Sequence, residues 1–124
     1  MAVIKTIEAD NHRITIVGDD IIRVYSRGDV TKEGVESVFH EISLIANGKK
    51  MLMLIDPTEE KSMNNEARKM IKQLGEIHCN GMAVITRKDH IKRIANILIK
   101  IDNPKFPLKM FTDNTEAENW LKSL

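Results

Sequence analysis

"KMLMLI", residues 50–55, constrains this chain more than any other stretch. Five of its six residues are apolar, and they do not alternate with polar ones. A strand with one wet face alternates, so this run reads as a strand covered on both faces. The apolar spacing on each side of it is helical. Upstream, Val35, Val38, Phe39, Ile42 and Ile45 form one stripe; downstream, Met63, Ala67, Met70, Ile71, Leu74 and Ile77 form another. A buried strand between two amphipathic helices is the repeating unit of an α/β sheet.

The rest of the chain extends that unit. "RITIV" and "IIRVY", residues 13–17 and 21–25, are β-branched runs around "GDD". Gly and Asp accept the positive φ of a tight turn, which predicts a leading β-hairpin. "AVIKTI" is compatible with an earlier strand. Thr31 is placed to cap the first helix, and Asn47-Gly48 to end it through the left-handed region. Short strands are predicted at "MAVI", residues 82–85, and "LKMF", residues 108–111, with Pro107 at the start of the second. Between them a helix over residues 89–101 ends at Asn103-Pro104, since Pro disfavours helix in the residue before it. Asp113 and Glu116 open a last helix in capping-box spacing, its buried face being Ala117, Trp120, Leu121 and Leu124. The order β-β-α-β-α-β-α-β-α predicts a mixed, mostly parallel sheet of about five strands with a leading hairpin and four helices. At 124 residues, without repeat or linker, one domain over 1–124 is expected. Folding a chain of this length buries roughly 65–70% of its extended surface, enough to dispense with staples.

This order resembles the STAS/SpoIIAA-like group, whose fold is that of bacterial anti-sigma-factor antagonists. The likeness spans nearly the whole chain and is carried by two stretches. One is the strand-turn-helix from Asp56 to Met70; the other is the ending "NPKFPLKMFTDNTEAENWL". It is closer to the uncharacterised SpoIIAA-like branch, whose members end in a short strand, a cap and a helix with Ala-x-x-Trp-Leu. Here those positions are Thr112, Asp113, Ala117, Trp120 and Leu121. In phosphorylatable members an Asp ends the strand, and the serine of an Asp-Ser-Ser-Gly-like stretch at the next helix is modified by a kinase. The resemblance matches that Asp to Asp56 and the helix start to "NNEAR", residues 64–68. Asn65 and Glu66 stand where the hydroxyl is expected, and Ser62 lies a few residues early. The resemblance implies a regulatory domain without the usual phosphorylatable serine, working through a protein partner or a second copy.

Asp56, Glu59 and Glu60 cluster carboxylates beyond a central strand, where open α/β sheets hold ligands. Such a set suits Mg²⁺ with a phosphate ligand or an acid/base pair, but the expected reading is a solvated acidic loop whose turn is set by Pro57. No glycine-rich phosphate loop accompanies it. Ser62, Asn64 and Asn65 are all good N-caps, and a phosphate on Ser62 would sit favourably at a helix N-terminus. Among His12, His40, His78 and His90, only His78 has a soft neighbour, Cys79, and two ligands do not make a zinc site. A capping or surface role is expected for His78. Nothing near Cys79 in sequence activates its thiol.

The helix over 89–101 spreads Ile91, Ile94, Ala95, Ile97, Leu98, Ile99 and Ile101 over an arc of roughly 200°. Flanking helices can cover that arc. Alternatively, Ile94, Ile97, Leu98 and Ile99 form an interface with a partner, a second copy or a small apolar ligand. Arg87, Lys88, Lys92, Arg93 and Lys100 would rim it. With 19 basic and 18 acidic residues and few aromatics, no nucleic-acid partner is expected. One cysteine and an N-terminal stretch with no long apolar run predict a cytoplasmic protein without integral membrane association. No enzyme activity, cofactor or metal is expected. The candidate interaction or switch residues are Asp56, Thr58, Ser62, Asn65, Glu66 and Arg68. The alternative function is binding of a small apolar or amphipathic, lipid-like ligand.

Overall fold

β-branched and apolar runs place six strands along the chain, as a computed structural model describing residues 3–17, 20–87 and 104–124 shows. The strands are β1 (Val3–Ala9), β2 (His12–Val17), β3 (Ile21–Val30), β4 (Met51–Met63), β5 (Cys79–Ile85) and β6 (Leu108–Phe111). Three helices fall within the described residues: α1 (Lys32–Ala46), α2 (Asn65–His78) and α3 (Asn114–Lys122). All six strands join one sheet in the order β1-β2-β3-β4-β5-β6. β1, β2 and β3 pair antiparallel; β3 to β6 pair parallel. The mixed, mostly parallel α/β sheet is as expected from the sequence.

Four expectations are corrected. The sheet has six strands rather than about five, because residues 3–9 pair with β2 through a two-residue turn. Asp10 and Asn11 take φ of 33° and 64° there, a conformation their short polar side chains tolerate. The segment after Asp56 is not an acidic loop but the second half of β4, which pairs with β3 as far as Val30↔Met63. Finally, Ile77 and Leu124 are exposed rather than part of buried faces. Met63 belongs to β4 instead of the following helix. The helix read over 89–101, with Ile94, Ile97, Leu98 and Ile99, lies outside the described residues.

Caps fix the helix ends as the sequence suggests. Thr31 accepts the Gly34 amide at 3.1 Å, and Asn47 turns α1 out at φ 50°. Asp113 accepts the Thr115 and Glu116 amides at the start of α3. One core lies between the sheet and the α1/α2 face, built on Ile14, Ile22, Val24, Val38, Phe39, Ile42 and Met53. A second joins Ile21, Leu54, Ala83 and Ile85 to Ala117 and Leu121 of α3. Helices therefore cover both faces of β4 and β5, which is why "KMLMLI" does not alternate. Burying a side chain such as Ile42 contributes about 1.5–3 kcal/mol.

α2 is seated by a glycine. Phe106 is buried against Gly75, where a Cβ would meet the ring at 2.5 Å. α3 is tied to β3 by the half-buried Arg23–Glu118 ion pair at 3.2 Å.

Candidate functional site

The β4–α2 joint carries all six candidate switch residues. Two irregularities shape its strand. Tyr25 faces Asp56 and Arg27 faces Glu59, so Pro57 and Thr58 together oppose the single residue Ser26. A bulge is where proline is tolerated within a sheet, because the ladder is already interrupted. Asp56 holds this bulge. Its Oδ1 accepts the Thr58 amide at 3.1 Å and the Thr58 hydroxyl at 2.7 Å. The register shifts again between Gly28 and Asp29, where Gly28 has φ 66°. Beyond that shift the exposed Ser62 donates its hydroxyl to Asp29 at 2.7 Å.

One residue separates β4 from α2. Asn64 caps the helix, accepting the Ala67 amide at 2.8 Å. Asn65 accepts from Arg68 Nη1 at 2.6 Å. Glu66 is exposed in the first turn, where the amide ends of the helix favour a carboxylate. The structure thus places Ser62 near the end of β4 and Asn65, Glu66 and Arg68 in the first turn of α2, with the Asn64 cap between them, and sets Asp56 and Thr58 at the bulge further back in β4. Glu59 is exposed but Glu60 is buried, so the three carboxylates named together in the sequence do not share one environment.

Glu60 belongs to a cavity of about 80 Å³ between the sheet and α1/α2. Val35, Val38, Phe39, Met53, Met63 and Ile71 are among its apolar lining. Three buried polar residues share its wall: His12, Ser26 and Glu60. Ser26 donates its hydroxyl to Glu60 Oε2. His12 is the direct cross-strand partner of Ser26, and its Nδ1 meets the Asp10 carbonyl at 2.7 Å. Sequence reading passed over this set. Its signal was the inward phase of β3, Ile22-Val24-Ser26, which places a hydroxyl where the core is expected.

The other sequence candidates lie apart. Cys79 is buried and its thiol donates to the Gly81 carbonyl at 3.0 Å. Burial pushes that thiol up to about 12, far from a reactive thiolate. His78, the last residue of α2, stacks on Phe39 with ring centroids 5.9 Å apart. Arg87 is exposed; Lys88, Lys92, Arg93 and Lys100 fall outside the described residues. Among the described residues no group of three His, Cys, Asp or Glu is placed to hold a metal, and no helix is long and apolar enough to cross a membrane.

The mixed sheet with helices on both faces, and the strand-to-helix step from β4 to α2, are those of a SpoIIAA-like fold. An uncharacterised protein from the DUF3478 family of Shewanella loihica PV-4, solved with a SpoIIAA-like fold, matches with a TM-score of 0.60 and 22% identity over 93% of this chain and 98% of that one. The anti-sigma factor antagonist SpoIIAA in its unphosphorylated form matches with a TM-score of 0.59 and 12% identity, covering 91% and 99%. A chain of the Pseudomonas aeruginosa complex of diguanylate cyclase SiaD with its activator SiaC matches with a TM-score of 0.52 and 11% identity, covering 86% and 97%. Within this fold the chain belongs to the family described as a domain of unknown function, DUF7793, whose model matches residues 15–124. Nothing among the curated proteins matches the sequence.

Proposed function

We propose that this domain is a non-enzymatic, cytoplasmic regulatory module that binds a protein partner, or a second copy of itself, through the β4–α2 step. The observation that carries the reading is the step itself. Ser62, Asn65 and Glu66 are exposed beside one another at a helix start fixed by the Asn64 cap, with the Asp56–Thr58 contact further back in β4. A polar ledge whose backbone is held by a helix cap and a strand pairing has less conformational entropy to lose on binding. Two proteins of the same fold are named for acting on other proteins: SpoIIAA as an anti-sigma factor antagonist and SiaC as the activator of a cyclase.

The non-enzymatic reading rests on what the polar groups do. Asp56 accepts from Thr58 at the bulge and the exposed Ser62 donates to the exposed Asp29, whereas acid/base work calls for titratable groups that share a partly buried site. Glu66 supplies a fixed negative charge at the helix start, where phosphorylatable members of the group carry their serine. Glu66→Lys reverses that charge. Its expected effect is a loss of partner binding of at least tenfold by calorimetry, with the fold intact by circular dichroism. Unchanged affinity in both Glu66→Lys and Glu66→Ala would remove the ledge from the interface. The cavity beside Glu60 favours a second reading, a binder of a small amphipathic ligand.

A further inference from the structure

An asparagine followed by glycine is open to attack by its own backbone, because glycine carries no Cβ to crowd the amide nitrogen. The chain has two such pairs, Asn47-Gly48 and Asn80-Gly81. Both asparagines are exposed, so access does not separate them. Their backbones do. Asn47 and Gly48 are the central residues of a turn that the Lys49 amide closes on the Ala46 carbonyl at 3.0 Å. Their φ values of 50° and 85° make it a type I′ turn. A Cβ on Gly48 would meet nothing within 4 Å, and among the described residues the Gly48 amide finds no acceptor. At ψ 47° the Gly48 nitrogen points away from the Asn47 side chain. It is eclipsed with Cβ, and so faces Cγ, when ψ is about −120°, the value a type II′ turn has at this residue with φ still about 60°. Types I′ and II′ interchange by turning over the central peptide, and both keep the bond from the fourth residue to the first. The reactive geometry is one peptide flip away, with no other hydrogen bond to break among the described residues.

Asn80-Gly81 is held where the turn is free. Gly81 pairs with Leu52 inside the sheet, and its carbonyl accepts the Cys79 thiol at 3.0 Å. Gly81 is buried, and Leu124, Leu52 and Leu121 crowd the place a Cβ would take. Turning its peptide over would break the β4–β5 pairing.

We infer that Asn47 is a site of spontaneous deamidation in the folded protein and that Asn80 is protected from it. Solvent base takes the Gly48 amide proton. The nitrogen then bonds to Asn47 Cγ as the Cγ–Nδ2 bond breaks, ammonia leaves, and a five-membered imide closes. Water opens the imide at either carbonyl. One opening gives aspartate; the other gives isoaspartate, in which the main chain runs through Cβ. Water is consumed, ammonia is released, and no electrons change hands. The new carboxylate stands at the C-terminal end of α1, where the helix carbonyls disfavour it. Isoaspartate also lengthens the backbone by a methylene at the turn that leads from α1 into β4.

The test incubates the full chain at pH 8 in native buffer and, in parallel, in concentrated guanidinium chloride. Proteolysis and mass spectrometry follow the peptides that hold each asparagine, with aspartate and isoaspartate products separated by chromatography. In the folded protein, product at Asn47 is expected to form at least tenfold faster than at Asn80. In denaturant the two sites should react within about threefold of each other, because the difference lies in the fold. At Asn47 both aspartate and isoaspartate should appear, and the rate should rise with pH, since the amide proton must leave first. Equal or faster reaction at Asn80 in the folded protein would overturn the assignment. So would an Asn47 that stays intact in the folded protein while the unfolded chain reacts at both sites. A product at Asn47 free of isoaspartate would overturn the imide route.

Discussion

Gly75→Ala tests the seating of α2, on which the position of the ledge depends. A Cβ at residue 75 would lie 2.5 Å from Phe106 Cε1 and 2.8 Å from Cζ. Carbon atoms at rest stand about 3.5–4.0 Å apart, so the ring would have to retreat by about 1 Å. Phe106 is 5% exposed and part of the α1/α2 core, so it has little room to do so. Overpacking of this kind costs about 1–3 kcal/mol. Against it stands the helical preference of Ala over Gly, about 1 kcal/mol at an interior position. Because the obstruction is a buried ring rather than a flexible chain end, the upper part of the range applies. The net expectation is a loss of about 1–2 kcal/mol. Phe106→Leu removes the two obstructing atoms at a cost of about 1–2 kcal/mol. In that background Gly75→Ala should stabilise, by about 0.5–1 kcal/mol, because only the helical term remains. Urea unfolding of the four proteins, with constant m-values, gives the coupling directly. If Gly75→Ala stabilises both backgrounds, the close approach of α2 to Phe106 is refuted.

Three further outcomes are expected. Asn64→Ala should lower stability by about 1 kcal/mol and Asn64→Gly by only a few tenths, because the lost interaction is the side-chain cap on the Ala67 amide; urea midpoints measure both. The Cys79 thiol has an ordinary value of 9.0 and is pushed up to about 12 by burial, so the folded state retains its proton where the unfolded chain releases it. Stability from this group is complete below about pH 9 and is lost as pH rises toward 12, and Cys79→Ala should flatten that alkaline decline in unfolding titrations. By the same burial, a small thiol reagent at pH 8 should label Cys79 only under denaturing conditions, and rapid labelling of the native protein would contradict its place in the core.

The parts of the fold legible in the sequence are those set by local chemistry. Thr31, Asn47 and Asp113 cap where their side chains can reach a free amide or adopt a positive φ, and each does so. "KMLMLI" signals double coverage because two helical faces meet it. What was hidden depends on pairing. "DPTEEKSM" looks like a loop because it contains proline and four charged residues, but β3 is long enough to carry it as strand through two register shifts. Charge alone cannot separate Glu59, exposed, from Glu60, buried, because the bulge at Pro57 and Thr58 resets which residues point inward. Ile77 follows the apolar spacing yet is exposed, since the covered face of α2 runs through Ala67, Ile71, Gly75 and His78 and Ile77 lies about 100° round the helix from His78. The helix start that the resemblance set at residues 64–68 is present, because a capped helix start is a local feature; the continuation of β4 past Asp56 and the Asp56–Thr58 contact depend on pairing with β3.

Site-specific photocrosslinking tests the ledge most directly. A photoreactive residue is placed at Ser62, Asn65 or Glu66, and in a control at Asn119 of α3, exposed on the other face of the sheet. The proteins are irradiated in lysate of the source cells, and the products are identified by mass spectrometry. A shared partner captured from all three ledge positions and absent from the Asn119 control is the predicted result. Capture from Asn119 alone, or equal capture at every position, would contradict an interface at the β4–α2 step.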